Sequence, residues 1–281
     1  MEEIEETIVR SYERCRRMQR RHDPTFYWAT RRLPTHQRPA VHALYGFLRG
    51  ADEIVDGPGR APDPAARRHA LDAWHAALEH GLAAGRSDHP VLAALVHAGG
   101  RLELPLHLLP VYMDSMRVDC DARVRIGSHE ELDRYMDGSA ATVGRIMAPL
   151  LGAPTAVHED LAALGVAFQL TNFIRDVRED FALDRVYLPG LDEGVMLRRE
   201  ADQRFRERVA REVARARDLF AATHRLEGDL PAAVGPGVRL ARAVYERILD
   251  RIEALEFDVL GRRTSLPPWQ VGAAAARALV R

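Results

Sequence analysis

The sequence has no run of about 18 uncharged apolar residues, the least that crosses a bilayer as a helix, so no segment of it reads as membrane-spanning. Its start, MEEIEETIVRSYERCRR, lacks the continuous apolar centre of a secretory leader. Cysteine is scarce: Cys15 and Cys120 lie far apart and outside any CxxC spacing. That excludes a disulfide framework or a cysteine-built zinc site and fits a reducing cytoplasm. Charge of one sign is also lacking, since 40 basic residues face 41 acidic ones. No long-range field draws in nucleic acid or an anionic surface, so an anionic substrate has to be held locally. A lipid substrate has to enter from a membrane surface or be handed over, which leaves peripheral association with the inner face of a membrane open. There is no GxGxxG fingerprint, and NADPH is not predicted.

What the sequence does have is helical periodicity. Apolar residues recur every three or four positions in nearly every segment, and alternating β-branched runs are almost absent, which predicts an all-α protein with no strand. Thr35 is placed to cap a helix over 36–56, stopped by Gly57-Pro58-Gly59. Helices are expected over 65–85, 90–101 and 105–118. Ser128 and Glu131 have capping-box spacing and open a helix predicted over 129–148. Another is expected from Thr155 or His158 to Asp180, followed over 181–197 by an irregular stretch long enough to suggest a lid. A charged helix over 198–225, a Gly/Pro linker over 228–237, a last long helix over 238–260 and a short one after Pro267-Pro268 complete the pattern. The linker is too short and too late to divide the chain, so residues 1–281 read as a single helical domain.

Two stripes carry the chemistry. At about 100° per residue, Tyr45, Arg49, Asp52 and Asp56 share one helix face, at offsets 0, 4, 7 and 11. Gln169, Asn172, Asp176 and Asp180 share another, at offsets 0, 3, 7 and 11, emerging from the apolar run LAALGVAFQLTNFI. If the two helices face each other, carboxylates about 4 Å apart repel by roughly 4 kcal/mol even at an effective dielectric near 20. A cation then has to lie between them. Oxygen ligands without His or Cys favour a hard ion such as Mg²⁺, which takes one or two carboxylates plus water and phosphate oxygens. The pattern points to a metal-bound phosphate or diphosphate, with Arg49 and Arg175 as partners of phosphate oxygens. The competing reading is a solvated helix face, which an i,i+4 Asp pair beside an arginine usually is. Both pairs follow core-like segments, where unpaired carboxylates are costly, and the pattern alone leaves the two readings evenly matched.

Five blocks in order change that balance: TFYWATRRLP, YGFLRGADEIVDG, YMDGSAATVG, FQLTNFIRDVREDFALDRVYLP and FDVLGRRTSLP. Spread over 25–267, they resemble the signatures of the squalene/phytoene synthase family. The resemblance implies a helical bundle around a central cavity, an aspartate motif on each of two opposing helices, and a prenyltransferase that joins two isoprenyl diphosphates head to head. It makes Asp52, Asp56, Asp176 and Asp180, with Asn172, the expected ligands of roughly two or three Mg²⁺ ions. It also places Arg49 and Arg175 on the phosphate oxygens. No covalent nucleophile is required, so the absence of a Ser-His-Asp or Cys-His signature is expected.

Tyr135, Gly138, Ser139, Thr142 and Val143 are expected near one helix face, where small side chains leave room for a prenyl tail, with close helix packing as the alternative. By resemblance, Tyr135 stands near the reacting carbons, where an aromatic face stabilises positive charge. Phe26 shields the reacting chain, Tyr187 and Tyr245 lie near the second half-site, and Arg262 or Arg263 contacts phosphate. Tyr45 and Gln169 complete the expected substrate-facing set. Two departures stand out. Glu53 replaces the second Asp usual after the first and is expected behind the ligands rather than on the metal. Pro268-Trp269-Gln270 replaces a basic residue often seen after the last block. The wording of the blocks is nearer to bacterial phytoene synthases, implying two geranylgeranyl diphosphates and phytoene by way of prephytoene diphosphate. A squalene- or dehydrosqualene-type synthase using farnesyl diphosphate, a synthase that cyclises one prenyl diphosphate, and a non-catalytic assembly protein remain alternatives. The retained aspartates weigh against the last.

Overall fold

The computed structural model describes residues 2–262 and Thr264; the helix expected after Pro267-Pro268 and the alternative Arg263 lie outside them. Helix α1 (Glu2–His22) packs its Ser11, Cys15 and Gln19 face on α3 (Arg38–Val55) and α5 (Pro90–Leu102). Between α1 and α3 lies α2 (Pro24–Thr30), capped by Asp23, whose carboxylate accepts from the Phe26 amide at 2.8 Å. Helix α4 (Pro64–Ala84) is capped by Asp63 and followed by Gly85 in the left-handed region. Next come α6 (Leu109–Val118), α7 (His129–Met136) and α8 (Thr142–Leu150). Helices α9 (His158–Arg175), α10 (Val177–Ala182), α11 (Glu193–Arg198), α12 (Gln203–Ala222), α13 (Leu226–Asp229) and α14 (Gly235–Ala254) follow. The all-α reading holds, and α9 lies against α8, α12 and α14.

Four local expectations are corrected. Thr35 does not cap α3: the helix starts two residues later from Gln37, with Pro39 in its first turn, where a missing amide costs nothing. The helix expected over 129–148 is interrupted by a π-turn at Asp137–Ala141. There Gly138 approaches α6 so closely that a Cβ would stand 2.1 Å from Ser115 Oγ and 2.7 Å from the Val111 carbonyl. A short parallel pair, β1 (Val124–Arg125) with β2 (Arg185–Val186), exists where no strand was expected. Finally, the stretch 181–197 is no open lid. It holds β2 and α11, and Val186, Tyr187, Leu188, Val195 and Met196 are buried in the core.

The capping box at the start of α7 is present in a shifted form. Ser128 accepts from the Glu131 amide at 3.2 Å, and Glu131 returns to the amide of Gly127, one residue before the cap, at 2.8 Å. The second aspartate helix is broken too: α9 ends at Arg175, and Asp176 stands between it and α10.

Candidate active site

A cavity of about 510 Å³ runs between α2, α3, the π-turn with α8, α9 and α14. Its polar end is lined by Asp52 and Asp56 from α3, Asp176 and Asp180 from the α9–α10 junction, Arg49, Arg175, and two residues not expected from sequence, Asp119 and Arg185. Its other end is lined by Leu33, Met147, Leu151, Leu161 and Val238. Phe26, Tyr45, Tyr135, Ser139, Val143, Gln169, Asn172, Tyr187 and Tyr245 also face it. Arg262 is exposed and is not among the residues that line it. Thr264 is tied to the site instead: its hydroxyl donates to the Arg175 carbonyl at 2.8 Å.

The two motifs do face each other. Asp52 lines the cavity and is only partly exposed. Burial first, then the charges of Asp56 and Asp119, push its carboxyl up to about 7. Asp180 rises to about 8, chiefly through burial and the charge of Asp176, with Asp56 of the opposite motif contributing. A group of acids that raise one another's proton affinity is a site short of positive charge. Part of that deficit is met internally. Arg175 grips Asp176 with two hydrogen bonds, 2.7 and 2.5 Å, and Arg185 forms an ion pair with Asp56. Arg49 pairs with Glu53 on the same helix, which leaves Glu53 behind the site as expected. The Arg49 Nε is buried without a partner.

The donors fit a hard divalent cation. They are oxygens, and Asn172 Oδ1, beside Asp176, is buried with no hydrogen-bond partner. Among the described residues no three carboxylates converge tightly enough to hold an ion alone. That is the condition under which Mg²⁺ is completed by water and substrate phosphate oxygens.

Behind the acids lies an aromatic cluster built on Asp119. The Tyr135 hydroxyl donates to one oxygen of that carboxylate at 2.5 Å and the Tyr187 hydroxyl to the other at 2.7 Å. Arg185 donates to the Asp119 backbone carbonyl at 2.7 Å. Phe173 stacks on Tyr187 at 4.2 Å and meets Tyr135 at 5.8 Å. With both hydroxyls spoken for by a buried acid, the rings are fixed in direction. Burial and the charge of Asp119 keep both phenols protonated, far above the usual tyrosine range. The small-residue face divides. Ser139 and Val143 line the cavity, whereas Gly138 packs on α6 and Thr142 is buried with its hydroxyl on the Asp137 carbonyl at 3.1 Å. The π-turn inserts the extra residue that rotates these neighbours apart.

Comparison with known proteins agrees with this geometry. The sequence profile of squalene/phytoene synthase matches residues 19–270. This chain belongs to the squalene/phytoene synthase family. It is 33% identical to a phytoene synthase of Arthrospira platensis, over 92% of this chain and 89% of the other. It is 34% identical to one of Thermus thermophilus, over 90% and 87%. Among solved structures, a squalene synthase of Alicyclobacillus acidocaldarius superposes with a TM-score of 0.79 at 29% identity, covering 89% of this chain and 95% of that one. A dehydrosqualene synthase shares the fold at a TM-score of 0.87 and 19% identity, covering 97% and 96%.

Proposed function

We propose that this family member, acting as one catalytic unit over 1–281, joins two geranylgeranyl diphosphates head to head and releases phytoene. The observation that carries the reading is the cavity's division. Two facing acid motifs with three arginines stand at one end and apolar walls at the other, matched to a diphosphate with a long prenyl tail. Relatives named phytoene synthase, at 32–34% identity over most of the chain, support that activity over its alternatives.

Asp52, Asp56, Asn172, Asp176 and Asp180 are the groups that would hold divalent ions, Mg²⁺ by their oxygen-only character, and such ions supply charge neutralisation for the departing diphosphate. The chain's own residues do the rest. Arg49, through its unpartnered Nε, and Arg175 bind and orient diphosphate oxygens. The allylic C–O bond breaks, its electron pair leaving with the diphosphate. The double bond of the second substrate attacks the cation, and loss of a proton to the bound diphosphate closes the cyclopropane of prephytoene diphosphate. A second departure, rearrangement and proton loss give the hydrocarbon. The rings of Tyr135, Phe173 and Tyr187, held by Asp119, present aromatic faces to the cations. Because the phenols stay protonated, they do not quench them by proton abstraction.

The test is incubation of the protein with Mg²⁺ and C10, C15 or C20 allylic diphosphates, with and without NADPH, followed by hydrocarbon analysis. Phytoene from the C20 substrate, indifferent to NADPH, is expected. A C30 product from the C15 substrate would move the reading to a squalene-type synthase, and no diphosphate release from any substrate would end it.

A further inference from the structure

A hydrocarbon without a polar group has no favourable route through an end of a cavity lined by acids and arginines. The wall formed by the later part of α2 and the start of α14 is different. There α2 and α14 close the cavity with Ala29, Leu33, Gly237, Val238 and Ala241. The two helices meet in a small cluster of Ala29, Leu240 and Val244 with Ala243 against it, joined to the main core only through Phe26 and the neighbouring Leu33 and Val238. On its other side α2 is fastened to α1 by polar contacts: Gln19 Nε2 donates to Thr30 Oγ1 at 3.1 Å, and Arg16 Nη1 donates to the Tyr27 hydroxyl at 3.0 Å. The seam with α14 is therefore the side on which α2 separates most easily.

The outer face of α2 is unusual for a water-facing surface. Trp28 is 57% exposed, with the Arg31 guanidinium 5.2 Å from its ring centre. Arg31 and Arg32 are exposed beside it, and Arg20 and Arg21 are exposed at the end of α1, Arg20 one turn on from the Arg16 that holds Tyr27. The nearby acids are engaged elsewhere. Glu13 is gripped by Arg16 at 2.7 Å, and Asp23 caps α2 and lines the cavity. In a chain whose formal charge is -1, this is a local basic and aromatic face, the combination that settles at the headgroup level of an anionic bilayer.

We propose that the Trp28 face docks on an anionic bilayer and that the α2–α14 seam behind it is the door through which the apolar product passes into lipid. The docking stands by itself; the identity of the cargo rests on the function proposed above.

Docking is read by flotation of the intact protein with phosphatidylcholine vesicles, with or without about 30% phosphatidylglycerol, and no substrate. The protein floats only with the anionic vesicles, and both Trp28→Ala and the pair Arg31→Glu/Arg32→Glu reduce the bound fraction about tenfold. A protein that stays at the bottom, or variants that float as well as the parent, overturns the docking.

The door is read with a disulfide. A Cβ at Gly237 stands 3.6 Å from Cβ of Arg32, within the span a disulfide bridges, and native Cys15 and Cys120 are buried away from oxidant. In Arg32→Cys/Gly237→Cys, oxidised and reduced protein should complete the first turnover alike. Steady-state turnover with anionic vesicles should fall about tenfold on oxidation and return with dithiothreitol. Equal steady-state rates, or loss of the first turnover as well, overturns the door. Failure of the parent protein to release diphosphate counts against the proposed function instead and leaves the flotation result standing.

Discussion

Arg185, in the short strand that follows the second acid motif, forms an ion pair with Asp56, at the end of the first. The same guanidinium reaches the Asp119 and Val55 carbonyls at 2.7 and 3.4 Å. It is buried, so one cation fastens together the loop after α6, the end of α3 and β2. Replacing it by leucine leaves these acceptors and a carboxylate without their partner. Arg185→Leu should lower stability by about 2–4 kcal/mol in urea unfolding. Mg²⁺ should raise the melting temperature of the variant more than that of the parent, because a metal ion replaces part of the missing charge.

If Asp52 and Asp180 hold metal as proposed, protons and metal compete for the same oxygens. Asp52 at about 7 and Asp180 at about 8 lie above the ordinary carboxylate range. At these two carboxyls the metal-free folded protein therefore holds more protons than the unfolded chain from about pH 4 to 8. Their contribution to stability therefore falls as pH rises through that window, most cleanly above about pH 6.5. The stabilisation given by Mg²⁺ should thus be larger at pH 8 than at pH 6, as read by melting curves with Mg²⁺ or a chelator. Calorimetry in buffers of different ionisation enthalpy should find protons released on metal binding at pH 6.5; no release would remove these two carboxyls from the metal site.

Asp52 gives the sharpest contrast between function and stability. Its ionised form is confined beside Asp56 and Asp119, and asparagine keeps the shape without the charge. Asp52→Asn should cost at least about 10³ in turnover, the scale of losing a preorganised electrostatic partner. It should also make the metal-free protein about 1–2 kcal/mol more stable at pH 8 and change little at pH 5. Full activity in the variant would remove Asp52 from the site.

The parts of this site that could be read from sequence are those written as helical stripes. Tyr45 to Asp56 and Gln169 to Asp180 are each close in sequence, and their spacing survives folding even though α9 breaks at Asp176. Asp119 carried no such signal. It lies in the turn after α6, among several other acids, and becomes functional only because β1 and β2 pair and bring Tyr187 and Arg185 to it. A two-residue strand has no periodicity to detect. The π-turn was hidden for a related reason: it changes the register of 138–143 without changing the helical composition, and the split between Gly138 and Ser139 is visible only in three dimensions.

His42 opposes the carboxyls on the acid side. Its ring is buried, with Nδ1 2.5 Å from Gln19 Oε1 and Tyr27 stacked on it at 5.9 Å. Burial, with Arg16 nearby, pushes its pKa down to about 4. Between about pH 6.5 and 4 the unfolded chain takes up a proton at this ring that the folded protein refuses, so His42 contributes a loss of stability of up to about 3 kcal/mol as pH falls, opposite in sign to the contribution of Asp52 and Asp180. In His42→Gln, stability relative to the parent should rise progressively as pH falls, as measured by urea midpoints from pH 7 to 4. An unchanged slope would mean that another group titrates there.

The π-turn ties packing to the shape of the cavity, and Gly138 tests the connection. Its missing Cβ lets the turn rest on α6, and a methyl group there would meet the Ser115 side chain and, less yieldingly, the Val111 carbonyl. Ser115 also donates to the Tyr135 carbonyl at 3.1 Å, so displacing it disturbs a residue that lines the cavity. Gly138→Ala should cost about 2–3 kcal/mol from overpacking, read from the urea midpoint. It should also change the ratio of products more than the rate of diphosphate release, since Asp52, Asp56, Asp176 and Asp180 stand on other helices. Equal loss of both would mean that the π-turn supports the whole site rather than the walls of the cavity.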